Sequence, residues 1–266
     1  MSIPHSIDPL GAIGSLPTGF TRLAYIESTG TQHLRIDCDY RTFSNLGASC
    51  DYIDLSADKD TPIMSVYRDI NGNNRFYVPY CSKGSIYTGY YDWLTIGVGQ
   101  NKGQRTRAGI NLYDSNVYRM SFGEVSLAGV LPASGVDISI GQPFYIFSYT
   151  SYVNSRHAYA CVFEARITIG KNLVRWLLPV LNTSGEPCMY DVVSRQPFYN
   201  VGTGGFIAGV EKQEQLDQLL LNLPDRSGQE TKVLVIRLAA SLATDSQVNN
   251  INSIAIPKNW NIAYAA

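Results

Sequence analysis

Few residues in this chain have the types and the spacing that catalysis requires. A glycoside hydrolase needs two carboxylates at a defined separation, and the nearest candidate pairs are Asp37 with Asp39 and Asp51 with Asp54. Asp37 and Asp39 alternate with apolar residues, as side chains on the solvent face of a strand do. No Glu-x-Asp-x-Glu pattern occurs in the sequence. We therefore predict no catalytic residue and expect that the protein is not an enzyme.

The histidines and cysteines also lack a reactive setting. His5, His33 and His157 do not lie near a Gly-x-Ser-x-Gly elbow or a reactive cysteine motif. The 5 cysteines are widely spaced, which fits neither a disulfide framework nor a zinc site. We interpret them as buried thiols of a protein made in a reducing cytoplasm. We predict no cofactor and no metal; Asp58 and Asp60 in "SADKD" read as loop residues, with calcium binding as the alternative.

A glycine-rich segment at 202–209, "GTGGFIAG", is similar in its glycine content to a phosphate-binding loop. Such a loop needs a following helix within a βαβ unit, because the helix N-terminus holds the phosphate. We expect no such unit here and predict that the segment is a turn.

A cluster of aromatic residues between 67 and 93 has the chemistry of ligand recognition. Rings with polar tips give a rigid contact surface that stacks on sugars or forms subunit contacts. Because alternation along a strand sends about half of the positions inward, a packed core and a subunit interface remain alternatives. The predicted glycan-binding residues are Asn74, Arg75, Tyr87, Tyr90, Tyr91 and Trp93.

The loop at 100–109, "QNKGQRTRAG", concentrates Lys102, Arg105 and Arg107. These side chains have the charge to hold an anionic glycan group. The alternative is a solvated hairpin tip.

Composition favours a β-rich fold and limits the partners. Charged residues make up only 16 % of the chain, while Tyr 18 and Gly 23 are high counts that favour strands and tight turns. The net charge of -1 indicates no general attraction to nucleic acid or to a membrane surface. No run of about eighteen apolar residues is present, so we expect no membrane insertion. The N-terminus lacks the basic and apolar regions of a signal peptide, and we expect none.

Periodicity divides the chain into three parts. Residues 1–19 contain three prolines and no periodic pattern, which is typical of an arm or linker. Residues 20–209 show many short alternating segments, which predict one sandwich of two sheets. Residues 210–266 predict a small α/β unit. The predicted sandwich strands are "RLAYIES", "HLRIDCDY", "GASCDYIDL", "PIMSVYR", "NRFYVPYC", "SIYTGYY", "TRAGINLYD", "NVYRMSF", "VDISIGQ", "PFYIFSYT" and "AYACVFEARITI".

The C-terminal part reads as helix, strand, helix, strand. Four leucines lie at i, i+3, i+4 and i+7 on one helical face: Leu216, Leu219, Leu220 and Leu223. "KVLVIRLA" is the next strand, and a second helix begins at a Thr/Asp/Ser cap in "TDSQVNNINSIAIPKNW". Its predicted inward residues are Val248, Ile251, Ile254 and Ala255. "NIAYA" is the last strand.

Two phrases resemble the two ends of a known sandwich family. "LPTGFTRLAYIESTGTQHLRID" at 16–37 resembles the start of the concanavalin A-like, laminin-G-like jelly-roll domains of phage tail and receptor-binding proteins. "MYDVVSRQPFYNVGTGGFIAG" at 189–209 resembles their closing strands. Phe20 and His33 stand where that family usually has tyrosine. The tail is similar to the short leucine-rich-repeat-like units that follow this domain in such proteins.

The resemblance implies a structural or recognition role in a virion. It implies that residues 16–209 form the jelly roll, with the "FIAG" strand near the "LAYIES" strand, and it carries no catalytic set. We expect a tail fibre or tail tip protein on the particle surface that binds a host glycan or protein and whose arm docks on other virion proteins. We expect a homotrimer, as symmetric assembly is common. A purely structural virion protein (head fibre, decoration protein or tail adaptor) and a glycan hydrolase are the alternatives.

Overall fold

In the computed structural model the described residues are 15–38, 46–56, 61–67, 75–82, 85–90, 94–99, 103–114, 117–130, 143–150 and 155–265. They form strands almost throughout the first 210 residues. The strands in chain order are β1 Thr21–Arg22, β2 Tyr25–Thr29, β3 Leu34–Ile36, β4 Leu46–Asp54, β5 Thr61–Pro62, β6 Met64–Tyr67, β7 Arg75–Ser82, β8 Ser85–Tyr90, β9 Leu94–Gly99, β10 Thr106–Asp114, β11 Val117–Phe122, β12 Val125–Val130, β13 Phe144–Ile146, β14 Ser148–Thr150, β15 Ser155–His157, β16 Tyr159–Ile169, β17 Asn172–Leu181, β18 Pro187–Asp191, β19 Gln196–Phe198, β20 Ile207–Val210, β21 Lys232–Leu238 and β22 Trp260–Tyr264. The helices are α1 Gln213–Asn222 and α2 Asp245–Ala255, and a 3₁₀ turn spans Ile256–Lys258.

The described strands form two main sheets that face each other. The large sheet has the order β12-β11-β10-β4-β16-β2-β20-β21-β22, with β17, β18, β19 and β1 joined to it through β16. The smaller sheet has the order β3-β13-β6-β7-β8-β9, with β5 beside β7, and β14 pairs with β15 separately. Apolar and polar side chains alternate along these strands because one face of each sheet is buried. The predicted mainly β, two-sheet antiparallel sandwich with a small C-terminal α/β unit is confirmed.

The core lies between the two sheets. Tyr52 and Ile110 point inward from the large sheet, and Phe76 and Phe144 from the smaller one, with all four at most 1 % exposed. The rings of Phe76 and Phe144 meet edge to face at 5.8 Å. Burial of this apolar area is the main free-energy term that holds the sandwich together.

The two resembling phrases lie side by side. β20 pairs antiparallel with β2, with Tyr25 opposite Gly209, which confirms that the "FIAG" strand adjoins the "LAYIES" strand. A second contact joins Leu34 to Asn200 as an isolated bridge. The start and the end of the predicted sandwich therefore meet in space.

The C-terminal part extends the large sheet with parallel strands. Ala208 pairs with Ile236, and Ile236 pairs with Tyr264, so each step along the sheet advances 28 residues. The four predicted leucines are buried at 0–2 % exposure, and the second helix begins at Thr244, whose hydroxyl accepts from Gln247 N–H at 3.3 Å. Of its predicted inward residues, Ile251 and Ala255 are buried and Val248 and Ile254 half-buried.

One expectation about this region is wrong. β20, which begins within "GTGGFIAG" at Ile207, does form a βαβ unit with α1 and the parallel β21. The glycines at 202–205 precede the strand, however, instead of joining strand to helix, so they are not placed to hold a phosphate. The bend at 202–204 agrees with the predicted turn, whereas residues 207–209 of the segment belong to strand β20.

The remaining predicted strands are largely present. β9, β12, β15 and β17 were not among the predicted strands; β9 and β12 both contain glycine and small residues that give a weak strand signal. The predicted "VDISIGQ" strand lies outside the described residues. The first fourteen residues of the predicted arm also lie outside them. The domain boundaries at 19/20 and 209/210 stay predictions.

Candidate functional site

The predicted aromatic site lies only partly within the described chain. Asn74, Tyr91 and Trp93 are outside the described residues. Arg75 begins β7, and Tyr87 and Tyr90 lie on β8, with backbone positions alone described. The site therefore stays a prediction.

The register of β8 narrows that prediction. Tyr90 is opposite Phe76, a core residue that is 0 % exposed, and Tyr87 is opposite Tyr80. The register shift between these pairs adds a residue to β7, so β8 itself continues regularly. Positions 87 and 90 are three apart on one strand and belong to opposite faces of the sheet. Cross-strand partners share a face, so position 90 belongs to the core side and position 87 to the outer side.

The carboxylates considered for catalysis lie apart. The Asp37 side chain is 75 % exposed and its Oδ1 lies 3.2 Å from the Arg35 Nε; Asp39 is outside the described residues. Asp51 lies on the outer face of β4, whereas Asp54 is buried at 1 % and accepts from the Ser56 N–H at 2.9 Å. The carboxylates of Asp51 and Asp54 therefore do not face one scissile glycosidic bond. The residues Asp58 and Asp60 are outside the described part.

The structure brings two histidines together that the sequence separates. The rings of His33 and His157 stack with centroids 4.8 Å apart, and neither Nδ1 atom has a hydrogen-bond partner. Burial lowers the pKa of both imidazoles, and the charge of His157 lowers the pKa of His33 further. Both rings are therefore held neutral near pH 7. No group of three or more His, Cys, Asp or Glu in the described residues is placed to hold a metal ion.

The outer face of the large sheet is the main concentration of paired charges and polar side chains in the described structure.

A buried ion pair lies at one end of this face. Glu27 on β2 is 0 % exposed and receives two hydrogen bonds from Arg237 on β21, at 2.7 and 2.8 Å. This pair spans β20 at Gly209, where an added Cβ would lie 2.4 Å from the Tyr25 ring. This close approach requires glycine, and it lets the Tyr25 ring lie over β20, between β2 and β21. The Cys161 thiol lies 3.8 Å from the Glu27 carboxylate, and burial raises the pKa of Tyr25 and of Cys161.

Arg105 joins the middle of this face to the C-terminal unit. Its Nη2 lies 2.8 Å from Asp51 Oδ2, and its Nη1 lies 4.0 Å from Glu211 Oε2. The same guanidinium stands 3.8 Å above the Phe163 ring, a cation–π contact. Arg105, a residue of the predicted basic loop, is therefore held by its neighbours rather than free in solvent.

Arg107, also predicted in that loop, shares a carboxylate with another arginine. Its Nη2 lies 3.0 Å from Glu164 Oε1, and the Arg166 Nε contacts the same oxygen. The Arg166 guanidinium also lies 4.3 Å above the ring of Trp176. Two guanidinium groups thus meet one carboxylate, which leaves positive charge in excess at this point.

Next to these arginines the sheet carries a strip of small side chains, which we call the serine–glycine strip. Its members are Gly47, Ser49, Gly109 and Ser121. The register places Ser121, Gly109, Ser49, Arg166 and Trp176 in one cross-strand row. The next row holds Arg119, Asn111, Gly47 and Thr168. Because serine and glycine are short, the strip is lower than the arginines around it.

Gly47 lets two polar side chains approach each other over the strip. A Cβ at this position would lie 2.2 Å from Asn111 Oδ1 and 2.3 Å from Thr168 Oγ1. The Thr168 Oγ1 atom is buried and has no hydrogen-bond partner. Trp176, 6 % exposed at the end of the adjoining row, likewise has a buried Nε1 with no acceptor. Buried polar atoms without partners are uncommon and mark places where a ligand or water completes the bonding.

Sequence reasoning did not identify this face. Its residues lie on β4, β10, β11, β16 and β17, which are far apart in the chain. Alternation along each strand predicts which residues point outward, but only the register between strands groups them. The one available signal was the basic loop at 100–109, which supplies Arg105 and Arg107.

Comparison with known proteins leaves the fold to be argued from the strands themselves. No family model matches the sequence, and no curated protein matches it. Solved structures that resemble it include domains LG4-5 of the mouse laminin alpha1 chain, with TM-score 0.42 and 12 % identity over 58 % of this chain and 44 % of that one. Another is a Bacteroides ovatus protein to which carbohydrate binding has been ascribed, with TM-score 0.46 and 11 % identity over 68 % of this chain and 59 % of that one. A third is the SAP-like pentraxin of Limulus polyphemus, with TM-score 0.37 and 12 % identity over 56 % and 74 %.

This chain thus spans 44 % of the laminin chain and 59 % of the Bacteroides protein. The TM-scores are all below 0.5, so the jelly-roll assignment depends on the sheet order and register described above. None of the described helices has the length and apolar character to cross a membrane.

Proposed function

We propose that this protein is a component of a phage virion, a tail fibre or tail tip protein that binds a glycan or protein on the host surface. The observation that carries the proposal is the outer face of the large sheet. It presents short polar side chains and arginines on a rigid sheet instead of an apolar surface. Hydroxyl, amide and guanidinium groups held in this way suit the hydroxyl-rich surface of a saccharide.

The placement in a virion is supported by the resembling end phrases. Residues 16–37 and 189–209 contact each other through β2 and β20, as the two ends of one jelly roll do. Four cysteines are buried free thiols in the described chain, which supports assembly in a reducing host cytoplasm. Burial raises the pKa of Cys38 and of Cys188 to about 12, so these thiols are unreactive.

The C-terminal unit supports the same assignment. Parallel strands that advance 28 residues per step, with a helix between successive strands, fall within the 20–29-residue period of leucine-rich repeats. We propose that this unit is the leucine-rich-repeat-like element that follows such jelly rolls. The N-terminal arm would dock the protein on other virion proteins, and a homotrimer would convert weak single-site affinity into avidity.

Binding rather than hydrolysis is favoured by the state of the carboxylates. Glycoside hydrolysis uses one carboxylic acid with a raised pKa and one free carboxylate across the bond. On the outer face Glu27, Asp51 and Glu164 each hold an arginine. Carboxylates neutralised in this way are positioned to fix arginine side chains.

The predicted aromatic set remains a second candidate contact surface of the same sandwich. It consists of Asn74, Arg75, Tyr87, Tyr90, Tyr91 and Trp93. Since the register of β8 puts position 87 on the outer side, we propose that Tyr87 contributes to recognition and that Tyr90 belongs to the core.

The test is binding of the purified full chain to an array of bacterial surface glycans and to intact bacteria. The proposal predicts saturable binding to specific glycans without release of reducing sugar. Binding to cells that survives removal of glycans but is lost after protease treatment would indicate a protein receptor, which the proposal includes. Absence of any binding, together with a requirement for the protein in particle assembly, would contradict it and favour a structural virion protein.

A further inference from the structure

The excess of positive charge around the serine–glycine strip is the starting observation. Arg107 and Arg166 share the single carboxylate of Glu164, whereas Arg105 lies between two carboxylates, Asp51 and Glu211, and adds no excess charge. Arg119, in the next row, is exposed. A neutral ligand would leave this charge uncompensated, whereas an anionic group would receive charge-assisted hydrogen bonds from guanidinium donors.

Uncharged polar groups lie beside that charge. The Thr168 hydroxyl and the Asn111 amide oxygen converge over Gly47, and the hydroxyls of Ser49 and Ser121 flank Gly109. These are acceptors and donors suited to sugar hydroxyls. The combination of hydroxyl-binding groups with an arginine excess is what a saccharide carrying carboxylates requires.

We propose that the serine–glycine strip binds an acidic saccharide, with uronic acid carboxylates directed to Arg119 and Arg166 and sugar hydroxyls to Asn111 and Thr168. This inference rests on the proposed function, since it names the class of host glycan and the surface that holds it. The strip spans β11, β10 and β4, and strands in a sheet lie about 4.8 Å apart. Its width therefore accommodates two or three sugar rings lying across the strands.

The experiment measures calorimetric affinity of the full chain for two probes, a tetrasaccharide of galacturonic acid and the neutral tetrasaccharide of galactose. We expect the acidic probe to bind at least about tenfold more tightly, and its affinity to fall as salt is raised, because exposed charges are screened. Arg119→Gln and Arg166→Gln should each weaken the acidic probe about tenfold, the usual effect of losing one charged hydrogen bond. Arg35→Gln removes the same charge from an exposed position on the other sheet and should leave affinity unchanged.

The outcomes separate the two proposals. Equal affinity for both probes, no binding of the acidic probe, or wild-type affinity in both strip variants would overturn the acidic-saccharide site while glycan binding on the array could still stand. Loss of all glycan and cell binding by the wild-type chain would overturn the proposed function as well. Arg166 packs on Trp176, so thermal melting of Arg166→Gln is measured first; the exposed Arg119→Gln decides the matter if the other variant does not fold.

Discussion

The two faces of the large sheet are stabilised in different ways. The inner face consists of apolar side chains such as Ile26 and Val162, both 0 % exposed, which pack against the smaller sheet. The outer face carries ion pairs and short polar groups, most of them half-buried or exposed, beside a few buried rings such as Phe163 and Trp176. Apolar burial contributes stability in proportion to area, whereas most exposed ion pairs contribute about 0–1 kcal/mol. The inner face therefore maintains the fold, and most of the outer face can change without loss of the fold.

The buried Glu27–Arg237 pair is the exception on the outer face, and its loss should give the largest change in stability. Replacing Arg237 by alanine leaves Glu27 buried without its partner, which should lower the free energy of unfolding by about 3 kcal/mol. Urea denaturation measures the change. Lys232→Ala is the matched control, because Lys232 lies on the same strand and pairs with the half-exposed Glu186 at 2.6 Å. That pair also joins β21 to the sandwich, and its loss should cost less than about 1 kcal/mol. Equal losses of unfolding free energy in Arg237→Ala and Lys232→Ala would contradict the distinction between the buried pair and the exposed ion pairs.

The next effect separates the two faces of the smaller sheet. Tyr90→Ala removes a ring at a position opposite the core residue Phe76 and should lower the free energy of unfolding by about 2 kcal/mol or more. Tyr87→Ala, on the opposite face of the same strand, should change it by less than about 1 kcal/mol. Thermal melting of both variants measures this. A larger loss from Tyr87→Ala would mean that the faces are reversed.

A smaller effect concerns the stacked histidines. Their pKa values in the folded protein are lowered from the ordinary 6.5, so the folded state binds fewer protons than the unfolded one. Their contribution to stability is complete above pH 6.5 and falls as the pH drops below that value. Melting temperatures at pH 7.5 and 5.5 measure the decrease. His157→Gln should reduce the difference between the two temperatures, and an unchanged difference would show that other groups cause it.

The smallest effect on stability is expected in the serine–glycine strip. Asn111→Ala removes a half-buried amide that leans over Gly47 and should change the free energy of unfolding by less than about 1 kcal/mol. Ala108→Asn, three positions earlier on β10 and on the inner face, should be strongly destabilising, because Ala108 is 0 % exposed and the amide would be buried without partners. Urea denaturation of this pair compares the two faces on one strand. Similar losses of unfolding free energy in the two variants would contradict the different roles of the two faces.

Much of the fold could be predicted because it is encoded locally. The alternation of Leu34 and Ile36 with Arg35 gave β3, and the four leucines from Leu216 to Leu223 gave the buried face of α1. Helix α2 ends at Ala255 rather than continuing through Pro257, since proline cannot extend the helix. Such patterns need no knowledge of distant residues.

The outer-face site could not be predicted because it depends on pairing between distant strands. Ser49 and Arg166 are neighbours only through the register of β4 and β16, and that register includes a shift between Val162 and Glu164. His33 and His157 meet across a similar separation. An irregular residue in a strand changes which side chains face outward after it, and no local pattern marks it.

The most direct test of a recognition role for the outer face is the map of amide chemical-shift changes when the tightest-binding glycan of the array is added to this 29.4 kDa chain. The account predicts that the largest changes lie at residues 47–51, 107–111 and 164–168, on three adjacent strands. Changes confined to residues 75–90, or to the C-terminal unit, would contradict it and assign recognition to another surface.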